Sequence, residues 1–236
     1  LSKLYSTLVM QKQLWSLLYF LLLLADLLAV AFDLPVEIRY ITKPGLMIVL
    51  AIYYWMQVGH SAYRSRNLVF AALIFSWWGD VLLLLEDKTG LYFMLGLASF
   101  LLAHVMYIFF FAKSRLPKSF IGHNNLLWVA IVLLYAGALV AFLLPHLGDM
   151  TIPVMIYALT IATMLAMSIF SYAHIKEGFS AFFIVGASLF VISDSLLAIN
   201  KFYQAFPGGG VLVMLTYGLA QWCIVEGATK YLKRAW

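Results

Sequence analysis

Charge is scarce in this sequence. Lys, Arg, Asp and Glu make up 11% of its 236 residues, against roughly 25% in an ordinary soluble domain. With 65% of the residues hydrophobic, a water-soluble globule is excluded, because too little polar surface exists to cover such a core. Cysteine is scarcer still. Cys223 stands alone, which excludes an internal disulfide and any cysteine-based metal cluster. Histidine is too sparse for an intramembrane zinc site: of five, only His104 falls inside an apolar run, and the site would need several. The net charge of +5 is modest and sits in short islands, so it reports on topology and not on nucleic acid.

What is present is hydrocarbon, in runs of about 18 to 22 residues, each long enough to cross a bilayer core. Eight such runs are predicted as helices, over approximately 14–32, 42–58, 67–85, 91–112, 126–144, 152–172, 179–199 and 211–232. Pro44-Gly45, Gly90, Pro117, Pro145, Pro153, Gly178 and Pro207 to Gly210 punctuate the joints. The expected fold is all-α: a polytopic membrane protein forming a single eight-transmembrane-helix bundle over residues 1–236. Lys and Arg set its orientation. Lys3, Lys12, Arg64, Arg66, Lys113, Arg115, Lys118, Lys176, Lys230, Lys233 and Arg234 fall on one side, and Arg39, Lys43, Lys88 and Lys201 on the other. Eleven against four puts both termini in the cytoplasm. The compact chain points to a bacterial inner membrane.

Against this background a few polar residues stand out. An ionisable group inside a span costs roughly 2.5–3.5 kcal/mol on insertion scales, so it is expected to have a partner or a job. Asp80, in "FSWWGDVLLLLEDK", lies six residues before Glu86, roughly 9 Å below the outer end of its helix. Asp194, in "FVISDSLLAINK", lies seven before Lys201, and Asp26 seven before Asp33. Tyr217 and Gln221 start the inward run of the last helix on one face at a similar level. Carboxylates sharing one cavity should repel each other and be poorly solvated, which keeps at least one protonated at neutral pH. Gly79-Asp80-Val81-Leu82-Leu83 and Ser193-Asp194-Ser195-Leu196-Leu197 also echo each other four spans apart, the pattern of a 4+4 parallel repeat.

Plainer roles compete with functional ones. Asp26 reads first as a helix-packing hydrogen-bond partner. His104, with Tyr107 one turn on, is equally a satisfied structural histidine or a catalytic one. Tyr217 and Gln221 are equally interhelical ties. Trp15, Trp55, Trp128 and Trp236 fit interfacial belts, whereas Trp77 and Trp78 lie close enough to Asp80 to wall a site.

Five stretches, in order, resemble the YhhN-like lysoplasmalogenase family: "TKPGLM", "FSWWGDVLLL", "SFLLAHVMYIFFF", "FVISDSLLAINKF" and "YGLAQWCIVEG". The resemblance implies an eight-span hydrolase that cleaves the vinyl ether of lysoplasmalogens, releasing a fatty aldehyde and glycerophosphoethanolamine or glycerophosphocholine. It places the family's polar motif residues on Lys43, Asp80, His104, Asp194, Tyr217 and Gln221, and leaves Asp26 without a matching motif.

The chemistry suits these residues. Vinyl ether hydrolysis begins with protonation of carbon and passes through an oxocarbenium ion. Two carboxyls in different environments supply the proton donor and the charge that tolerates the cation. No metal or cofactor is required. Asp80 and Asp194 are the expected catalytic pair, the sequence leaving open which donates. His104, Tyr217 and Gln221 would orient water or the ether oxygen. Lys43, with Arg39 or Lys201, would hold the lipid phosphate, unless it is a snorkelling interfacial anchor. Trp77, Trp78, Phe100, Tyr107 and Ser193 complete the candidate site around a lysophospholipid. The rival reading is a proton-coupled membrane transporter using the same carboxylates.

Overall fold

The computed structural model describes residues 2–59, 61, 63–86, 89–114, 123–175 and 178–234. Among these, every regular element is helical. Eight α-helices follow one another: α1 (Ser2–Ala31), α2 (Val36–Val58), α3 (Arg66–Leu83), α4 (Gly90–Lys113), α5 (His123–Leu147), α6 (Thr151–Ile175), α7 (Ala181–Ala198) and α8 (Gly209–Arg234). A π-helical turn, Ile199–Tyr203, extends α7. Lys88, Arg115, Pro117, Lys118, Lys176 and Trp236, used above, lie outside the described residues.

Among the described residues, six segments are long and apolar enough to cross a membrane, one of them the 48-residue stretch Asn125–Tyr172 that covers most of α5 and α6. α2, which carries Lys43, Pro44, Tyr53 and Tyr54, falls outside that set. The outer surface of the bundle is hydrocarbon, as a lipid environment demands: Leu134 is 75% exposed, Ile41 73% and Ile152 70%.

Two helices differ from their predicted extents. α1 begins at Ser2, ahead of the start predicted near residue 14. α2 begins at Val36 and runs straight through Pro44-Gly45, which the sequence reading took for its start. Proline removes one N–H from the ladder, but little competes for the freed backbone groups inside a membrane helix, so the helix persists. The consequence is positional. Lys43 lies two turns inside α2 instead of at its mouth.

The helices pack mainly as sequential pairs, α1 with α2, α3 with α4, α5 with α6 and α7 with α8, while α4, α6 and α8 join the pairs together. The shared core is aromatic: Tyr19, Tyr53, Tyr107, Phe110, Phe183 and Phe190 are all fully enclosed. Close approach of α7 to α8 requires Gly186. A Cβ there would stand 2.6 Å from Ile224 Cγ1 and 3.0 Å from the Ala220 carbonyl oxygen, a small-residue contact typical of membrane helices. α5 lies at the margin. Its main contacts are α6 and the π-helical turn, and most of its side chains face outward.

Candidate functional site

Two polar centres lie inside the bundle. The first surrounds Asp80 on α3, which is fully buried. The Tyr217 hydroxyl on α8 donates to Asp80 Oδ2 at 2.7 Å. The Lys43 ammonium on α2 stands 3.7 Å from Oδ1, and that oxygen accepts no hydrogen bond among the described residues. Lys43 is itself only 8% exposed. One turn further along both helices, the Gln221 amide donates to Ser76 Oγ at 2.8 Å and its oxygen accepts from the Tyr107 hydroxyl at 2.6 Å. Asp26 on α1 accepts from Thr42 at 2.7 Å and pairs with Arg39 at 3.4 Å, which ties α1 to α2.

The second centre surrounds Asp194 on α7. The Tyr157 hydroxyl on α6 donates to its Oδ2 at 2.6 Å, and His104 Nε2 on α4 stands 3.8 Å from the same oxygen. The His104 ring lies edge-to-face against Tyr157 and Phe190, with centroids 5.4 and 4.9 Å away. Neither of its nitrogens has a hydrogen-bond partner among the described residues. Unlike Asp80, the Asp194 side chain retains 15% exposure. It opens into a narrow crevice of about 50 Å³ between α5, α6 and α7. That crevice is apolar except along one wall, where Tyr135, Tyr157, Asp194 and Ser195 meet; there the Tyr135 hydroxyl donates to Ser195 Oγ at 2.9 Å. A smaller crevice reaches Asp194 from the end of the bundle that carries the π-helical turn, past Phe93 and Phe202. Lys201 lies nearby, its ammonium 4.9 Å from the Phe93 ring and 3.2 Å from Glu86.

Phe190 separates the centres. Its ring contacts His104 on one side and Tyr217 on the other, at 4.9 and 5.6 Å, with Tyr107 at 6.4 Å. Among the described residues no hydrogen bond or ion pair joins Asp80 to Asp194, and Asp80 is not among the residues lining the Asp194 crevices. The structure therefore gathers Lys43, Asp80, Tyr217, Gln221 and Tyr107 on one side of Phe190, and His104 and Asp194 on the other. Ser193 donates to the Val213 carbonyl at 3.0 Å and ties α7 to α8. Trp78 is half exposed on the outside of the bundle, and Trp77 packs edge-on against it.

Tyr157 was not singled out in the sequence. Nothing in a chain with 14 tyrosines marks it, except a place near the N-terminal end of α6, level with Asp194 near the C-terminal end of α7. Among the described residues, no three His, Cys, Asp or Glu side chains gather as ligands for a metal ion.

The YhhN family model matches residues 38–228. A human protein named lysoplasmalogenase TMEM86B is 30% identical over 185 residues, which cover 78% of this chain and 72% of that protein. A lysoplasmalogenase of Mycobacterium tuberculosis is 32% identical over 190 residues, covering 78% of this chain and 68% of its own. A bovine lysoplasmalogenase TMEM86A is 30% identical over 176 residues, covering 70% and 67%. No solved structure matches the chain.

Proposed function

This chain belongs to the YhhN family, and we propose that it is an integral-membrane lysoplasmalogenase whose working carboxyl is Asp194. The observation that carries the assignment of the residue is its setting: a carboxyl held by a tyrosine, beside a buried histidine, on the polar wall of an otherwise apolar crevice. Such a wall fits an amphiphile with one polar linkage and a hydrocarbon remainder. All eight helices span the membrane in this reading, with both termini in the cytoplasm, as the lysine and arginine asymmetry supports. The close pairs α3–α4 and α7–α8 are equivalents under a four-helix repeat and favour that part of it.

The reaction consumes one water. The Asp194 carboxyl gives its proton to the vinyl carbon remote from oxygen. The π electrons form the new C–H bond, and the adjacent carbon becomes an oxocarbenium centre. The carboxylate left behind lies beside that positive charge and offsets it, as in glycosidase chemistry. Water then adds to the cationic carbon and returns a proton to Asp194. The hemiacetal breaks its bond to the glycerol oxygen, which takes up the hydroxyl proton, leaving a fatty aldehyde and a glycerophosphodiester. The 3.8 Å between His104 Nε2 and Asp194 Oδ2 exceeds a direct hydrogen bond and suits a water shared by both groups. Tyr157 fixes the carboxyl's orientation. Asp80, with Lys43, holds Tyr217 and thereby the Phe190 ring that backs His104; it is a positioning residue in this reading.

Purified protein incubated with a panel of lysophospholipids, with products followed by mass spectrometry, tests the function. Aldehyde should appear from the vinyl ether lipid alone, and Asp194→Asn should release none while eluting as folded protein in detergent. Aldehyde formation by that variant at the wild-type rate would remove Asp194 from the chemistry.

A further inference from the structure

On the outer side of the Asp194 crevice, α5 and α6 part to form a groove of about 690 Å³ facing the surrounding lipid. Its lining side chains are aliphatic throughout, Leu133 and Met155 among them. Four small side chains, Ala136, Val140, Ala158 and Ala162, line both this groove and the crevice that holds Asp194. The two spaces therefore share one thin wall of methyl groups. α5 is the helix best placed to yield there, since its main contacts are α6 and the π-helical turn.

We infer that the α5–α6 groove is the binding site for the hydrocarbon chain of a single-chain lipid, which reaches Asp194 sideways from the bilayer. The inference rests on the hydrolase reading of the same centre and adds the route and the chain-recognition surface. Three observations select this occupant. The groove lies within the apolar stretch of α5 and α6 and offers no polar side chain, so it matches a hydrocarbon chain and nothing charged. Its volume falls within the roughly 300–1,000 Å³ of small-molecule sites. It shares its inner wall with a crevice whose polar side, Tyr135, Tyr157, Asp194 and Ser195, would meet the one polar linkage such a lipid carries once that wall yields. Lys201 then lies seven residues beyond Asp194 on the same helix, about 10 Å outward, where the glycerol and phosphate would extend. Lys43, enclosed beside Asp80, has no such position.

The chain site is tested in two ways that fail separately. Ala158→Phe and Ala162→Phe fill the shared wall. Each should lower kcat/KM for an 18-carbon vinyl ether substrate at least tenfold more than for a four-carbon analogue, whereas Ile74→Phe, on the lipid face of α3, should leave the ratio unchanged. A single-chain ether lipid carrying a diazirine in mid-chain should label peptides from α5 and α6 of the wild-type protein in detergent, whether or not the bulky variants fold. Labelling spread over all exposed helices, or an unchanged chain-length ratio in folded Ala158→Phe and Ala162→Phe, overturns the inference. Labelling confined to α5 and α6 without aldehyde from any substrate would keep the chain site and refute the hydrolase reading.

Discussion

Replacing Lys43 by methionine should destabilise the protein far more than replacing Lys43 and Asp80 together. The ammonium lies 3.7 Å from the carboxylate, with side-chain exposures of 10% and 0%. Two unit charges about 4 Å apart attract by about 4 kcal/mol at an effective dielectric constant near 20. Asp80 Oδ1 has no hydrogen bond, and Tyr217 serves only Oδ2, so the lysine is what compensates Oδ1. Breaking such a buried pair from one side costs about 3–5 kcal/mol, whereas replacing both partners by neutral groups of similar size is often close to neutral. For a chain of this size each kcal/mol moves Tm by roughly 2–4 °C. Lys43→Met should therefore melt on the order of 10 °C below wild type, and Lys43→Met/Asp80→Asn within a few degrees of it. Cys223, the sole cysteine and partly buried, provides the assay, since a thiol-reactive fluorophore in detergent reports unfolding at one known position. A single variant within about 3 °C of wild type, or single-variant losses that merely add in the double variant, would refute the pairing and the positioning role built on it.

Tyr157→Phe removes the 2.6 Å donor to Asp194. A hydrogen bond to a charged group contributes about 1.5–3 kcal/mol, so kcat should fall by at least about tenfold with KM little changed; a loss confined to KM would assign Tyr157 to binding. Gly186→Ala places a Cβ 2.6 Å from Ile224 Cγ1. Overpacking of this kind costs about 1–3 kcal/mol, which a fall in Tm of several degrees would register, and an unchanged melting curve would show that α7 and α8 can part freely.

Most of the helices were legible because they are uninterrupted apolar runs between short polar islands, and that pattern leaves a backbone in hydrocarbon one local solution. The start of α2 was not legible. Pro44-Gly45 is a strong break signal in water, and only the finished helix shows that the break does not occur. The error carried over to Lys43, read as an outer-mouth phosphate ligand and found two turns deeper beside Asp80. Tyr217 and Gln221 do share a face, as their spacing of four requires, yet they reach different partners one turn apart. Tyr157 and Tyr135 were invisible for a different reason. Their importance lies in which helices become neighbours, and no local pattern on α5 or α6 encodes that.

The echoed segments of α3 and α7 show how one local motif yields two electrostatic settings. Both read small–Asp–x–Leu–Leu. In α3 the small residue is Gly79, and the Phe100 ring lies so close that a Cβ there would stand 2.5 Å from it. Phe100 also meets Tyr217 edge-on, so aromatic carbon seals the Asp80 side and leaves its carboxylate to Lys43 and Tyr217. In α7 the small residue is Ser193, whose hydroxyl is committed to the Val213 carbonyl of α8. The far side of Asp194 is left to α6 and the marginal helix α5, where the crevice lies. A proton-coupled carrier would work by exposing a carboxylate to each face of the membrane in turn. The charge balanced by Lys43 is the enclosed one, and the crevices at the other carboxyl reach the wall shared with the α5–α6 groove and the end of the bundle that carries the π-helical turn. That division suits a proton donor that meets a lipid from one direction, with a sealed ion pair holding the helices behind it.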